Sequence, residues 1–157
     1  MELTWDDIII DLTEIDLEKI ISTWKWLIGD NKQPILISSI GDLYLKDENE
    51  NCFWLNVGEG ILEKIADSVA EFEEKINDYE IASEWFLIEL VKSIKESGLN
   101  LTENMLYGYK VLPILGGDFI PENFELIKVE THFELNGLIH KQIKDLPDGS
   151  EINIEVK

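Results

Sequence analysis

Two histidines and one cysteine are the side chains in this 157-residue sequence best suited to metal or nucleophilic chemistry. His132 and His140 lie eight positions apart, a spacing that fits no standard ligand pattern. The alternation around His132 puts it on a strand and His140 on a helix that follows, so the pair straddles an element boundary. A metal would need carboxylates as well, and among 33 acidic residues an acid near a histidine arises by chance. Cys52 alternates within an apolar strand and has no basic setting to favour the thiolate, so it reads as a small core residue. Being the sole cysteine, it can form no internal disulfide. Paired carboxylates could do acid/base work, but with this many acids any pair is uninformative. The expectation is no catalytic residue, no metal and no cofactor.

The glycine motifs add no chemistry. Gly116-Gly117-Asp118-Phe119 has the letters of the diguanylate cyclase hairpin, yet it continues Ile120-Pro121 instead of Glu-Phe, and no cationic cluster accompanies it. Gly58-Glu59-Gly60 is no phosphate loop, because Glu59 would repel phosphate and no helix follows at once. Both read as turns.

Charge is the abnormal feature. The balance is 33 acidic to 13 basic residues, −20 in all, and every basic residue is Lys. Such a field repels nucleic acid and anionic lipid and attracts a basic partner, although acidity also serves plain solubility. Without Arg there is no bidentate clamp for phosphate or carboxylate. The first residues, MELTWDDIIIDL, carry acids where a signal peptide needs cations, and no apolar run approaches the roughly 20 residues of a membrane helix. The chain reads as soluble and cytoplasmic, with no membrane partner.

The elements that would position these residues follow from periodicity. Residues 34–57, PILISSIGDLYLKDENENCFWLNV, alternate in period two between Gly, Asp and Asn clusters, which predicts antiparallel strands. Phe53, Leu55 and Val57 face one way, and Cys52, Trp54 and Asn56 the other. Residues 13–28 predict a helix capped by Thr13 and Asp16 and closed by Gly29. Residues 61–66 predict another strand, and Ser68 with Glu71 forms a capping box for the next helix. A longer helix is predicted over 81–97. An edge strand is predicted over 105–115 because of Pro113, and a strand over 125–135. A short helix from Leu138, a turn at Pro147-Asp148-Gly149 and a last strand through Ile152, Ile154 and Val156 complete the reading. Phe53, Leu55, Phe133 and Leu135 are expected core residues. The fold class is α+β, a single domain with an antiparallel β-sheet and helices packed on it.

Five stretches in order, SSIGDLYLKD (38–47), FWLNVGEG (53–60), KIADSVAEFEEKI (64–76), YGYKVLPILGGDF (107–119) and THFELNGLIHKQIKDLPDG (131–149), resemble the C-terminal domain of bacterial type VI secretion immunity proteins, of the kind that neutralise a DNase effector. In that family the domain commonly follows a GAD-like domain. The resemblance implies an immunity-type domain over 35–157, with 1–34 an N-terminal helical segment, truncated relative to the GAD-like domain. It implies no catalytic residue, and a cytoplasmic protein that binds a secreted toxin, in this family a DNase; a charge of −20 suits a basic toxin.

The best candidates for binding such a basic toxin are acids in two places. One is a hairpin tip with Asp47, Glu48 and Glu50; the other is the run Glu71, Glu73, Glu74 and Asp78. Two other classes stay open at this stage. One is an acidic structural or regulatory module without a toxin partner. The other is an enzyme using His132 and His140 with carboxylates.

Overall fold

The computed structural model describes residues 2–146, so the predicted turn at 147–149 and the strand through Ile152, Ile154 and Val156 lie outside the described residues. The fold is α+β. Strands β1 (Lys32–Ile37), β2 (Leu43–Asp47), β3 (Cys52–Asn56) and β4 (Ile61–Ala66) form an antiparallel meander in the order β1-β2-β3-β4. Pro34 sits on edge strand β1, where its missing N–H is tolerated, and the β1–β2 register shifts there. A second, two-stranded antiparallel sheet pairs β5 (Met105–Tyr109) with β6 (Phe124–Lys128).

Both faces of the meander are covered. Leu43, Leu45, Leu55 and Val57 point into a core shared with Ile20, Ile21, Trp24, Ile28, Val129 and Phe133. Tyr44, Cys52, Ile65 and Ala66 point into a second core with Phe72, Ala82, Trp85 and Phe86. The alternation expected along β3 is present, and Leu55 and Phe133 are fully buried. Phe53 and Leu135 are only half-buried, which corrects the expectation that both are core. Phe53 lies beside the open hairpin end, where the Lys32 ammonium stands 4.6 Å from its ring centroid.

The helices differ from expectation in three places, each with a packing reason. The predicted helix over 13–28 is two helices, α2 (Leu17–Ser22) and α3 (Lys25–Ile28), with an unforeseen α1 (Trp5–Ile8) before them. Asp16 caps α2 by accepting from Lys19 N, whereas Thr13 Oγ1 donates to Asp11. At the break, Thr23 Oγ1 and Trp24 Nε1 both donate to Phe133 O, at 3.2 and 2.8 Å.

Beyond β4, Ser68 caps α4 (Val69–Ile76) as expected. The predicted helix over 81–97 is α5 (Tyr79–Phe86) and α6 (Ile88–Glu96), hinged at Leu87 with φ 50° and ψ 51°. The hinge redirects the apolar stripe. Ala82, Trp85 and Phe86 enter the second core, while Val91 and Ile94 join Ile40, Tyr107 and Phe124 in a third.

The predicted strand over 125–135 stops at Lys128, and α7 (Val129–Ile143) replaces its second half and the expected short helix. The β-branched and apolar residues at every second position imitated a strand. The period that wins is helical, with Val129, His132, Phe133, Asn136, Gly137, His140 and Ile143 buried. Three polar residues in that stripe hid it from an apolar count. The predicted edge strand over 105–115 likewise ends at Tyr109, and Pro113 starts a 3-10 turn, Pro113–Leu115. No helix among the described residues is long and apolar enough to cross a membrane.

Candidate functional site

The two histidines stand two turns apart on α7, with Asn136 midway on the same face, and they do not straddle an element boundary. All three are buried. His132 Nε2 lies 2.9 Å from Gly41 O. A carbonyl can only accept, so Nε2 carries the proton and Nδ1 is left to accept from Asn136 Nδ2 at 3.2 Å. The same Asn136 amide donates to His132 O at 2.9 Å. His140 Nε2 donates to Val57 O at 2.6 Å by the same logic. Burial pushes the His132 imidazole down to about 4, and burial lowers His140 as well, so both are neutral at pH 7.

Beside Gly41, Asp42 is a buried carboxyl that the sequence did not single out. Its Oδ1 accepts from Val57 N and its Oδ2 from Trp54 Nε1, each at 3.0 Å. Burial outweighs these bonds and raises its pKa to about 7. Val57 is thus held on both sides, by Asp42 at N–H and by His140 at C=O.

The histidine rings are seated on glycines. A Cβ on Gly41 would collide with His132 Nε2, and one on Gly60 would lie 2.5 Å from His140 Nδ1. Both glycines also have positive φ, 92° and 70°, which other residues seldom adopt. The arrangement is a polar clamp in which α7 pins the β1–β2 and β3–β4 connections. Its groups are shut from solvent, so they hold the sheet rather than meet a substrate. Among the described residues no group of three or more His, Cys, Asp or Glu could hold a metal ion. Cys52 is buried, and burial, then Glu50 and Asp47, push its thiol up, away from the reactive thiolate.

The opposite end of the meander carries the acids. Register pairs Lys46 with Cys52 and Cys52 with Ala66, so the β2–β3 hairpin tip and the start of α4 flank the same strand end. Asp47 is taken up by the turn. It accepts from Asn49 N, Asn51 N and Asn51 Nδ2 at 2.9–3.1 Å, and the Asn51 side chain leads in holding its carboxyl below the usual range. Glu48 and Glu50 are exposed beyond it, and Glu50 lies 3.8 Å from Lys46 Nζ. Glu71 pairs with Lys75 at 3.1 Å, and Asp78 caps α5 by accepting from Glu80 N. Glu73 and Glu74 are exposed farther along α4. The tip and Glu71 therefore share one end of the sheet, while Asp47 and Asp78 already hold local backbone. Of the five tryptophans, Trp24 and Trp85 are buried, Trp26 and Trp54 half-buried and Trp5 exposed.

Among known families, residues 66–140 match the one described as T6SS immunity protein Tdi1, C-terminal. The matched stretch runs from the end of β4 through His140, and so contains α4 to α6, the small sheet and the histidine face of α7. It leaves out SSIGDLYLKD and FWLNVGEG, the strands that α7 clamps. In fold the chain is similar to the crystal structure of Atu4351 from Agrobacterium tumefaciens, with a TM-score of 0.53 and 17% identity. The alignment covers 77% of this chain and 63% of that one, so this chain spans less than two thirds of its length. No curated protein matches.

Proposed function

We propose that this chain is an immunity-type protein that binds and neutralises a secreted antibacterial toxin in the cytoplasm by direct contact. The observation that carries the reading is the match of residues 66–140 to the type VI immunity family. Chemistry supports it from two sides. The two histidines, Asp42 and Cys52 are buried, the histidines and Asp42 in structural bonds, and the chain is strongly acidic, which favours capture of a basic protein. A nuclease is the toxin class that suits this charge best, because a cleft that holds nucleic acid is itself basic. The hairpin acids Asp47, Glu48 and Glu50 and the α4 acids Glu71, Glu73, Glu74 and Asp78 are the proposed steering surface. No cofactor or metal enters this reading, and the chain performs no catalytic step.

The experiment is protection in cells. Each open reading frame flanking this chain's gene is tested as the toxin, expressed from an inducible promoter with and without the full chain. Survival restored to near that of cells without toxin supports the reading. Equal killing in both, with the chain expressed and folded, overturns it.

A further inference from the structure

The connection between β5 and β6 is the most apolar exposed segment of the described structure. Val111, Ile114, Leu115, Phe119 and Ile120 all point outward, with Phe119 51% and Ile114 46% exposed. Connections are normally polar, and five exposed large apolar side chains on one connection point to a contact site.

The segment is also built to hold still. Asn123 clamps it from inside. Its side chain accepts from Val111 N and donates to Val111 O and Asp118 O, all at 2.9–3.0 Å, while its backbone carbonyl accepts from Lys110 N. Leu112 is buried as an anchor, its carbonyl accepts from Leu115 N and Gly117 N, and Ile114 N donates to Gly58 O. Phe119 meets the Tyr109 ring edge-on at 6.1 Å. A surface already fixed loses little side-chain and loop entropy on binding.

Charge surrounds the patch. Asp118 and Glu122 are exposed on it, and Glu59 follows the Gly58 that bonds to Ile114. Lys110 at its base is the one cation within the segment from 110 to 123. A second copy of this chain would bring the same acids face to face on a molecule of charge −20, which opposes self-association.

We infer that residues 110–123 form a docking surface for a protein whose apolar pocket is bordered by lysine or arginine. The inference rests on the immunity reading for the identity of that protein, the toxin. It assigns the lasting contact to a place that charge alone would not select. The patch adjoins Gly58, past the end of β3, whereas the acidic tip precedes the start of β3, a strand length of about 17 Å away. Steering and retention then belong to different ends of the sheet. The acids speed encounter, and the apolar patch slows departure.

The test uses the full chain and the toxin identified by the protection experiment. Two independent variants, Ile114→Ser with Phe119→Ser, and Leu115→Ser with Ile120→Ser, are compared with the parent by circular dichroism, thermal midpoint and binding kinetics. Because the replaced side chains are exposed, at least one variant should keep the parent's spectrum and midpoint. That variant should dissociate at least tenfold faster, with the salt dependence of association unchanged. Dissociation within twofold of the parent overturns the docking surface and leaves the immunity reading standing. Sedimentation that shows a parental dimer turned to monomer, with toxin binding intact, assigns the patch to a second copy and also overturns it. A parent that forms no complex with the toxin removes both, and does so through the immunity reading.

Discussion

Replacing Asp42 with asparagine should change how stability depends on pH, and the size of the effect follows from burial. The carboxyl accepts two hydrogen bonds, from Val57 N and Trp54 Nε1, yet its pKa rises from 3.8 to about 7. A folded-state pKa above the unfolded one means that the folded protein holds the proton more tightly. The contribution favours folding at low pH and is lost as pH rises from 3.8 through about 7. The full rise corresponds to about 4 kcal/mol. His132 works in the opposite sense. Its pKa is pushed down to about 4, so its contribution is lost as pH falls from 6.5 toward that value. That contribution is common to parent and variant and cancels in their difference. In the Asp42→Asn variant the new amide oxygen can accept from one of the two donors, and the other loses its partner, a pH-independent cost of about 1–3 kcal/mol. Urea unfolding of both proteins at a series of pH values across the window from 3.8 to about 7 isolates the Asp42 contribution. The parent's stability relative to the variant should fall by most of about 4 kcal/mol across that window. A difference flat to within about 0.5 kcal/mol would refute the claim that this carboxyl is desolvated.

Other consequences follow from packing and charge. Leu55→Ala and Phe133→Ala, at fully buried positions, should each cost roughly 2–5 kcal/mol in urea unfolding, while Phe53→Ala and Leu135→Ala should cost clearly less. Similar costs at all four would place the hairpin end of β3 inside the core. Reversing Glu48, Glu50 and Glu73 to lysine should leave the unfolding midpoint nearly unchanged, because exposed charges contribute little. The same variant should associate with a basic toxin at least tenfold more slowly at low salt, with a shallower salt dependence. Equal association rates across the salt series would reduce these acids to solubility.

What the sequence made legible depended on whether one local rule governed a segment. The strands from 34 to 66 were readable because alternation, turn residues and burial agree there. The caps at Ser68 and Gly29 were readable for the same reason. The 81–97 helix misled because its apolar stripe serves two cores, so it breaks at Leu87 without a Pro or Gly to announce the break. Residues 129–135 misled because their buried helical stripe is part polar. That error hid the clamp. Once His132, Asn136 and His140 are seen four residues apart, a single helix face is the natural reading, and Gly41 and Gly60 become its seats. Asp42 gave no such signal, since a strand-edge Asp next to a Gly looks like any turn residue. The apolar connection after β5 was visible only as a Pro-containing edge, because exposure is a tertiary property. The immunity resemblance, by contrast, was carried by the order of short motifs. It persists over 66–140 even though its later stretches fold differently from what their alternation suggests.

Neutralisation by stoichiometric contact predicts a sharp endpoint when toxin activity is titrated with the chain. The toxin identified by the protection experiment is purified, its activity is measured, on plasmid DNA if it is a nuclease, and the full chain is added in steps at a toxin concentration well above the dissociation constant. Activity should fall linearly and vanish near a fixed small-integer ratio of chain to toxin, with nothing added beyond what the toxin's own activity requires. Full toxin activity in a large excess of folded chain would rule out neutralisation by contact.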